Sequence, residues 1–314
     1  MIEKNKKEGS SKLLAPLLVV IAASLWAVDG IVLRPSLYSL PVPLVVFIES
    51  AVVAILLTPF FIKRFSSLKQ LKKKDWLAFF GVALLGGAVG TMAITKALFY
   101  VNFINLSVVI LLQKLQPVFA ISLATIFLKE KLPKEFFLWA GLAILGAYFM
   151  TFGFSSPNFS TGDKTTIAAL FALLAAFSFS SSTVLSKRAL RNVDYEMGTY
   201  LRFLFATIIM LMIASTTGDI SNISEITTKQ IIVFLIIAFT TGGAAIFLYY
   251  YGLKRISASV ASICELAFPL TAVVLEYLVH GNILSPVQWI GAAVLLISIL
   301  KVGGINIPSL INSK

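Results

Sequence analysis

The sequence predicts an all-α integral membrane protein, ten transmembrane helices forming two inverted five-helix repeats with N- and C-termini cytoplasmic. Three observations predict it. The first is composition: 58% of the 314 residues are apolar and only 13% charged, where a soluble domain carries roughly 45–50% and about 25%. So little polar side chain cannot cover so much apolar surface in water. The second is an internal repeat. At an offset of 152, Phe99 falls on Tyr251, Ser107 on Ser259, Val108 on Val260, Pro117 on Pro269, Ala120 on Ala272, Leu123 on Leu275 and Leu132 on Leu284. No gap is needed, and a two-residue slip then brings Gly141 onto Gly291. The third is that Lys and Arg crowd into alternate loops.

Ten apolar runs are expected to span: 13–33, 42–62, 76–95, 103–128, 135–154, 165–186, 197–215, 230–252, 257–279 and 284–302. A helix of about 20 apolar residues crosses roughly 30 Å of hydrocarbon. Continuous rather than alternating apolar residues favour helices over a barrel. The first run follows Lys4, Lys6, Lys7 and Lys12, as a signal peptide would. It is long, has no small-x-small cleavage site and precedes many further runs, so it reads as the first membrane helix. Arg34-Pro35 and Pro41-Val42-Pro43 close the first loop, Ser155-Ser156-Pro157-Asn158 opens the central one, and Gly218-Asp219 and Gly281-Asn282 mark later turns. The expected division is a basic tail at 1–12, a first repeat at 13–154, a central outer loop at 155–164, a second repeat at 165–302 and a tail at 303–314.

With the N-terminus placed in the cytoplasm, the inner segments collect four basic residues from the tail and six from Lys63–Lys74. Lys129–Lys134 and Lys187–Arg191 supply three each, Lys254 and Arg255 two, and Lys301 and Lys314 two, which makes twenty of the 26. The outer side receives Arg34, Lys96, Lys164 and Lys229. Positive residues stay on the cytoplasmic side, so this asymmetry sets the orientation. The net charge of +12 is therefore a topology signal and an attraction to anionic headgroups, and no nucleic-acid partner is expected. Five spans per half is an odd number, so the second copy enters the bilayer inverted. At an offset of 153 the first spans also match: Ala22-Ala23 meets Ala175-Ala176, Trp26 meets Phe179 and Arg34 meets Lys187. Inverted repeats place a substrate site near the midplane at their interface and permit alternating access by rocking.

One pattern recurs in both halves. It reads Leu98 with Tyr100, Pro117, Leu128-Lys129-Glu130-Lys131-Leu132 and Gly141 in the first, and Tyr250-Tyr251, Pro269 and Gly291 in the second. In this the chain resembles the drug/metabolite transporter superfamily, in its EamA-type branch, over approximately residues 13–302. The resemblance implies a ten-helix bundle that moves small metabolites, without naming a cargo. The corner glutamate has no second copy, because Asn282 stands there.

Charged groups inside spans cost about 2.5–3.5 kcal/mol each on insertion scales and face a cavity or a partner. Asp29, Glu49, Lys114, Arg202 and Glu265 qualify, with Glu276 nearer an end. Gln113 and Glu265 are repeat mates, and Lys114 adjoins them. Asn102, Asn105, Gln113 and Gln116 share a stripe of the fourth span, as Ser262, Glu265, Pro269 and Glu276 do in the ninth. Pro117 and Pro269 each remove a backbone hydrogen bond and free a carbonyl near Gln113 or Glu265, so both read as helix-break or gating positions. Lys114 and Glu265 either line the cavity or neutralise one another between helices. Asp29 and Glu49 face either the cavity or an outer hydrogen-bonded brace, and Arg202 either snorkels or functions.

The resemblance puts Trp26, Phe179, Tyr249, Tyr250, Tyr251 and Phe268 in spans that surround the cavity, where aromatic faces bind apolar or cationic groups. Trp26 and Tyr250 lead that group. Trp76, Trp139 and Trp289 read as interface anchors. Gly86 and Gly90, with Gly242 and Gly243 in the second half, read as close-packing positions or sliding surfaces. The substrate-binding set is thus Trp26, Asp29, Glu49, Gln113, Lys114, Phe179, Tyr250, Glu265 and Phe268.

With one cysteine, Cys264, and one histidine, His280, neither a disulfide nor a histidine metal cluster is expected. No nucleotide loop or nucleophile elbow is visible, so no cofactor and no enzymatic activity is expected, and transport would be secondary. Lys114 opposite a carboxylate, Glu265 or Glu49 opposite an amine and aromatics around an apolar body suggest an amino acid, a similar zwitterion or an organic cation. Carboxylates that change protonation would couple transport to protons. The expected setting is the plasma (inner) membrane, as a monomer or homodimer. The alternative is a membrane-embedded lipid-handling protein or enzyme using the same cavity.

Overall fold

The structure is a computed structural model and describes residues 2–62, 68–69, 71–100, 112–155, 165–280 and 284–304. Among these residues every regular element is helical. In chain order, α1 (Ile2–Val28) runs on through a π-helical segment (Asp29–Leu33) and a 3-10 turn (Arg34–Leu37), followed by α2 (Val42–Phe61). Next, α3 (Lys73–Val82) joins α4 (Gly90–Tyr100) through a second π segment (Ala83–Val89), and then come α5 (Gln116–Phe127) and α6 (Lys134–Phe152). The second half holds α7 (Thr165–Ala189), α8 (Tyr195–Thr216) and α9 (Thr228–Ile237), which joins α10 (Gly243–Arg255) through a third π segment (Ala238–Gly242). It closes with α11 (Ala258–Cys264), α12 (Ala267–His280) and α13 (Pro286–Gly304).

Nine helical stretches among the described residues are long and apolar enough to cross a membrane, and α5 is a shorter apolar helix. Ten were expected. The missing length belongs to the fourth run, 103–128, whose residues 103–111 lie outside those described, as do Asn102 and Asn105. The first helix begins at Ile2, well ahead of the expected boundary at residue 13. The expected ninth run is not continuous either. It breaks at Glu265-Leu266, between α11 and α12.

Small residues make up much of the buried stripes of α1 and α7, although large side chains such as Phe79, Phe136, Met150 and Tyr250 are also fully buried. Ala15, Val19, Ala22, Ala23 and Ala27 form the buried stripe of α1, and α10 lies against them. In α7, Ala168, Ala172, Ala175 and Ala176 are buried, and so are Ser178, Ser180, Ser182 and Ser186. Large side chains such as Ile55, Phe60, Leu138, Leu145, Leu170 and Leu300 point outward. Small residues inside and large apolar ones outside is the arrangement for lipid, where close helix packing rather than apolar burial holds a bundle together. Ser180 Oγ bonds back one turn to Ala176 O at 2.7 Å, Ser182 Oγ donates to Val82 O at 3.3 Å and Ser186 Oγ lies 2.9 Å from the Tyr250 hydroxyl, whereas Ser178 Oγ has no partner among the described residues.

The halves interleave. α1 packs on α10 and α12, α2 on α8, α4 and α5 on α7, and α6 on α13. Two of the three π segments fall at repeat-related places, and glycine follows each. A Cβ at Gly90 would meet the Leu85 carbonyl oxygen at 2.8 Å, and one at Gly243 would meet that of Ala238. In both cases the obstruction is the carbonyl five residues back, which the wider π turn brings close.

Candidate functional site

Two helices are interrupted in the middle of the bundle. Leu112-Gln113 is helical, Lys114-Leu115 forms a turn and α5 starts at Gln116, with Pro117 in its first turn. At repeat-related positions, α11 ends at Cys264, Glu265-Leu266 forms a turn and α12 begins at Ala267, with Pro269 close behind. Proline fits a first helical turn, where no donor to the preceding turn is required, so each proline starts a helix rather than kinking one. The Glu265 carbonyl freed by Pro269 accepts from Phe268 N at 3.0 Å.

The Glu265 carboxylate is the centre of a hydrogen-bonded cluster drawn from both halves. Its Oε2 accepts from Gln116 Nε2 at 2.8 Å. Its Oε1 accepts from the Tyr249 hydroxyl at 2.6 Å and from Thr183 Oγ1 at 3.4 Å. The Tyr249 and Thr183 hydroxyls lie 2.9 Å apart. Ser180 Oγ donates to the Gln116 carbonyl at 2.7 Å and so fixes the start of α5 against α7. The Trp26 ring leans on Tyr249, centroids 5.2 Å apart. A carboxyl group, neutral donors and an aromatic wall therefore converge where two helices are broken, which suits an amphiphilic ligand.

The other expected site residues are dispersed around this centre. Tyr250 is fully buried; its hydroxyl lies 2.9 Å from Ser186 Oγ and accepts from Arg202 Nη1 at 3.4 Å. It is Tyr249, not Tyr250, that meets Glu265. Phe179 lies close to Gly90, Phe268 faces Gly30 and is 38% exposed, and Gln113 is half-buried. Lys114 is only 8% exposed, and among the described residues it makes no hydrogen bond or ion pair. The expected alternative in which Lys114 neutralises Glu265 is thus corrected. Neutral donors from Gln116, Thr183 and Tyr249 occupy the carboxylate instead.

Asp29 and Glu49 form a separate group. Arg34 donates to Asp29 Oδ2 from Nε at 2.9 Å and from Nη2 at 2.6 Å, and its Nη2 also reaches Glu49 Oε2 at 3.2 Å. Asp29 and Arg34 are five residues apart, and the π turn between them brings that spacing onto one face. Arg34, read from sequence as a loop cation, ties α1 to α2. The Glu276 and His280 side chains are outside those described.

Thr183 and Tyr249 were not in the expected set. The run Ser178-Phe179-Ser180-Ser181-Ser182-Thr183, polar in the middle of an apolar helix, is the signal that marks α7 as lining a wet interior. Among the described residues no cluster of His, Cys, Asp and Glu is suited to a metal.

Residues 13–152 and 166–303 each match the EamA-like transporter family. The chain belongs to that family. This EamA-like chain is 48% identical over 291 residues to the riboflavin transporter ImpX of Fusobacterium nucleatum subsp. nucleatum, covering 92% of this chain and 97% of that protein. It is 25% identical over 240 residues to the uncharacterized transporter sll1164 of Synechocystis sp., 73% of this chain and 66% of the relative. A protein of known crystal structure shares the fold, with a TM-score of 0.73 at 16% identity, over 96% of this chain and 99% of the other. This EamA-like chain is a multi-pass membrane transporter of a small molecule, not an enzyme.

Proposed function

We propose that this protein carries riboflavin or a closely related flavin across the plasma (inner) membrane by alternating access. The observation that carries the reading is the 48% identity spanning 97% of a protein named as a riboflavin transporter. The site chemistry is compatible. A flavin joins a planar tricyclic ring, suited to an aromatic wall such as Trp26 and Tyr249, to an imide N–H and a chain of hydroxyls. Those groups match a carboxylate and an amide such as Glu265 and Gln116. A zwitterion needs both of its charges met in one place, and Lys114 makes no bond to the Glu265 cluster. On the strength of that relative, a flavin replaces the amino acid, zwitterion or organic cation expected from Lys114, Glu265, Glu49 and the aromatic residues.

In this reading the bundle has ten helices in two inverted five-helix repeats at 13–154 and 165–302, and both termini are cytoplasmic. Trp26, Gln116, Thr183, Tyr249 and Glu265 form the inner wall. Phe179, Phe268, Gln113 and Lys114 border it, and Tyr250 supports it from behind. Asp29 and Glu49, held by Arg34, brace the outer end. Protonation of Glu265 in place of its donors couples cargo movement to protons.

The deciding experiment is uptake of riboflavin into proteoliposomes, read by its own fluorescence, alongside a thermal-shift screen, since a ligand of the folded state raises apparent stability by mass action. Saturable flux with a raised melting temperature is expected. Folded protein with neither flux nor stabilisation by any flavin would overturn the cargo assignment.

A further inference from the structure

Glu130 has no glutamate at its repeat-mate position, yet it makes three polar bonds from the first half to the second. It sits in the turn between α5 and α6, in the first repeat. Its Oε1 accepts from Ala258 N at 2.7 Å, and its Oε2 accepts from Ser259 N at 3.1 Å and Ser259 Oγ at 2.6 Å. Those are the first residues of α11, in the second repeat. Ser257 Oγ accepts from Val260 N at 3.1 Å, so the leading amides of α11 are all taken. A carboxylate at the positive end of a helix makes strong, charge-assisted bonds.

The turn that presents Glu130 is itself constrained. Lys129 has φ 55°, the left-handed region that a side-chain-bearing residue enters only when its surroundings over-determine it. The other side of the same junction is also gripped. Lys187, buried in α7, donates from Nζ to Leu253 O at 2.8 Å and to Lys254 O at 3.0 Å, the last carbonyls of α10. The α10–α11 turn is thus held by an anion on its amide side and a cation on its carbonyl side.

At its far end, α11 leads into Glu265, which is bonded to Gln116 at the start of α5. At its near end it is bonded to Glu130, just beyond the end of α5. One short helix of the second repeat is therefore tied at both ends to one helix of the first. The repeats cannot part at this end of the bundle until Glu130 lets go. A ligand that takes up Glu265 or Gln116 at the site releases the other tie.

We propose that the bond from Glu130 to Ala258 and Ser259 is the gate at the lysine-rich end, closed in this structure and opened when the cargo site faces that side. At the opposite end, among the described residues, the repeats are joined by neutral bonds, from Gln230 Nε2 to Ser39 Oγ at 3.0 Å and from Gln288 Nε2 to Thr151 O at 3.3 Å, and by no carboxylate. Asn282 stands at the mate position, and the Arg34 group joins two helices of the same repeat. Transport itself is shown by the family, so the gate does not depend on the flavin assignment.

Native Cys264 is a built-in reporter, because it is buried and adjoins Glu265. In inverted vesicles, Glu130→Ala is expected to raise alkylation of Cys264 by an impermeant maleimide roughly ten-fold, as the loss of charge-assisted bonds shifts the closed state toward open. Glu130→Gln, which keeps the shape without the charge, is expected to give a smaller rise. No acceleration should appear from the opposite face. A purely structural Glu130 would lower the melting temperature and leave alkylation unchanged or raised equally from both faces, and either result would overturn the gate. In a Cys264→Ser background, Glu130→Cys with Ser259→Cys, once oxidised, should stop flux reversibly while leaving riboflavin binding from the other side. Undiminished flux in the oxidised protein would also overturn it. Should riboflavin prove not to be the cargo, the alkylation measurement decides the gate independently.

Discussion

Glu265 is tolerated in the middle of an apolar bundle because three neutral donors surround its carboxylate. Of these the Tyr249 hydroxyl, at 2.6 Å, is the shortest. Tyr249→Phe keeps the ring against Trp26 and removes only the donor. It should cost about 1–3 kcal/mol, the range for a buried partner left unsatisfied, seen as a lower melting temperature in detergent together with weaker flavin binding. Lys114 gives the reverse case. Lys114 is 8% exposed and has no ion pair among the described residues, and an ammonium so placed opposes folding, so Lys114→Met should leave the melting temperature unchanged or raise it, while flux falls or its selectivity changes. A lower melting temperature with normal flux would return Lys114 to a structural role. The residues at this scale were only partly legible in the sequence. Adjacent tyrosines on a helix point about 100° apart, and periodicity does not say which of Tyr249 and Tyr250 faces Glu265. Adjacency in the repeat register does not imply contact either. Lys114 adjoins the mate of Glu265, yet it makes no bond to the cluster around Glu265.

At the scale of elements, the interruptions were legible because proline marks them, while the π segments were not, since hydropathy is the same in an α or a π turn. The repeat also overstates equivalence. Gly141 and Gly291 align in sequence, yet a Cβ at Gly291 would strike the backbone N of Met150 and come 2.9 Å from the Gly146 carbonyl oxygen, whereas one at Gly141 meets nothing within 4 Å. The obstruction at Gly291 is backbone on α6 and cannot swing aside, so added volume pushes α6 and α13 apart. Gly291→Val should therefore destabilise by about 1–3 kcal/mol, the usual cost of overpacking. Gly141→Ala should be neutral or gain up to about 1 kcal/mol of helix propensity. Thermal unfolding of the pair in one detergent separates packing from propensity. Equal effects at the two positions would show that α6 and α13 do not meet at Gly146 and Gly291.

For the whole molecule, the charge pattern and the tertiary hydrogen bonds make the same statement by independent routes. Asn192 Nδ2 donates to Asp75 Oδ1 at 2.9 Å, which places the Lys72–Lys74 segment beside Arg188–Arg191. Lys254 Nζ donates to Val193 O at 2.7 Å, and Glu130 reaches Ala258. The basic segments at 72–74, 129–134, 187–191 and 254–255 thus meet at one end of the bundle. Arg34 lies at the other, where Gln230 Nε2 donates to Ser39 Oγ at 3.0 Å. In the proposed orientation, in which basic residues are retained on the cytoplasmic side, the crowded end is the cytoplasmic one. In a Cys264→Ser background, single cysteines at Lys73, Asn192 and Lys254 should react with an impermeant maleimide only in inverted vesicles, and one at Asp219 only in right-side-out vesicles. Labelling that put Lys73 and Lys254 on opposite faces would be incompatible with two five-helix units of opposite orientation, because an odd number of spans per unit requires those two loops to share a side.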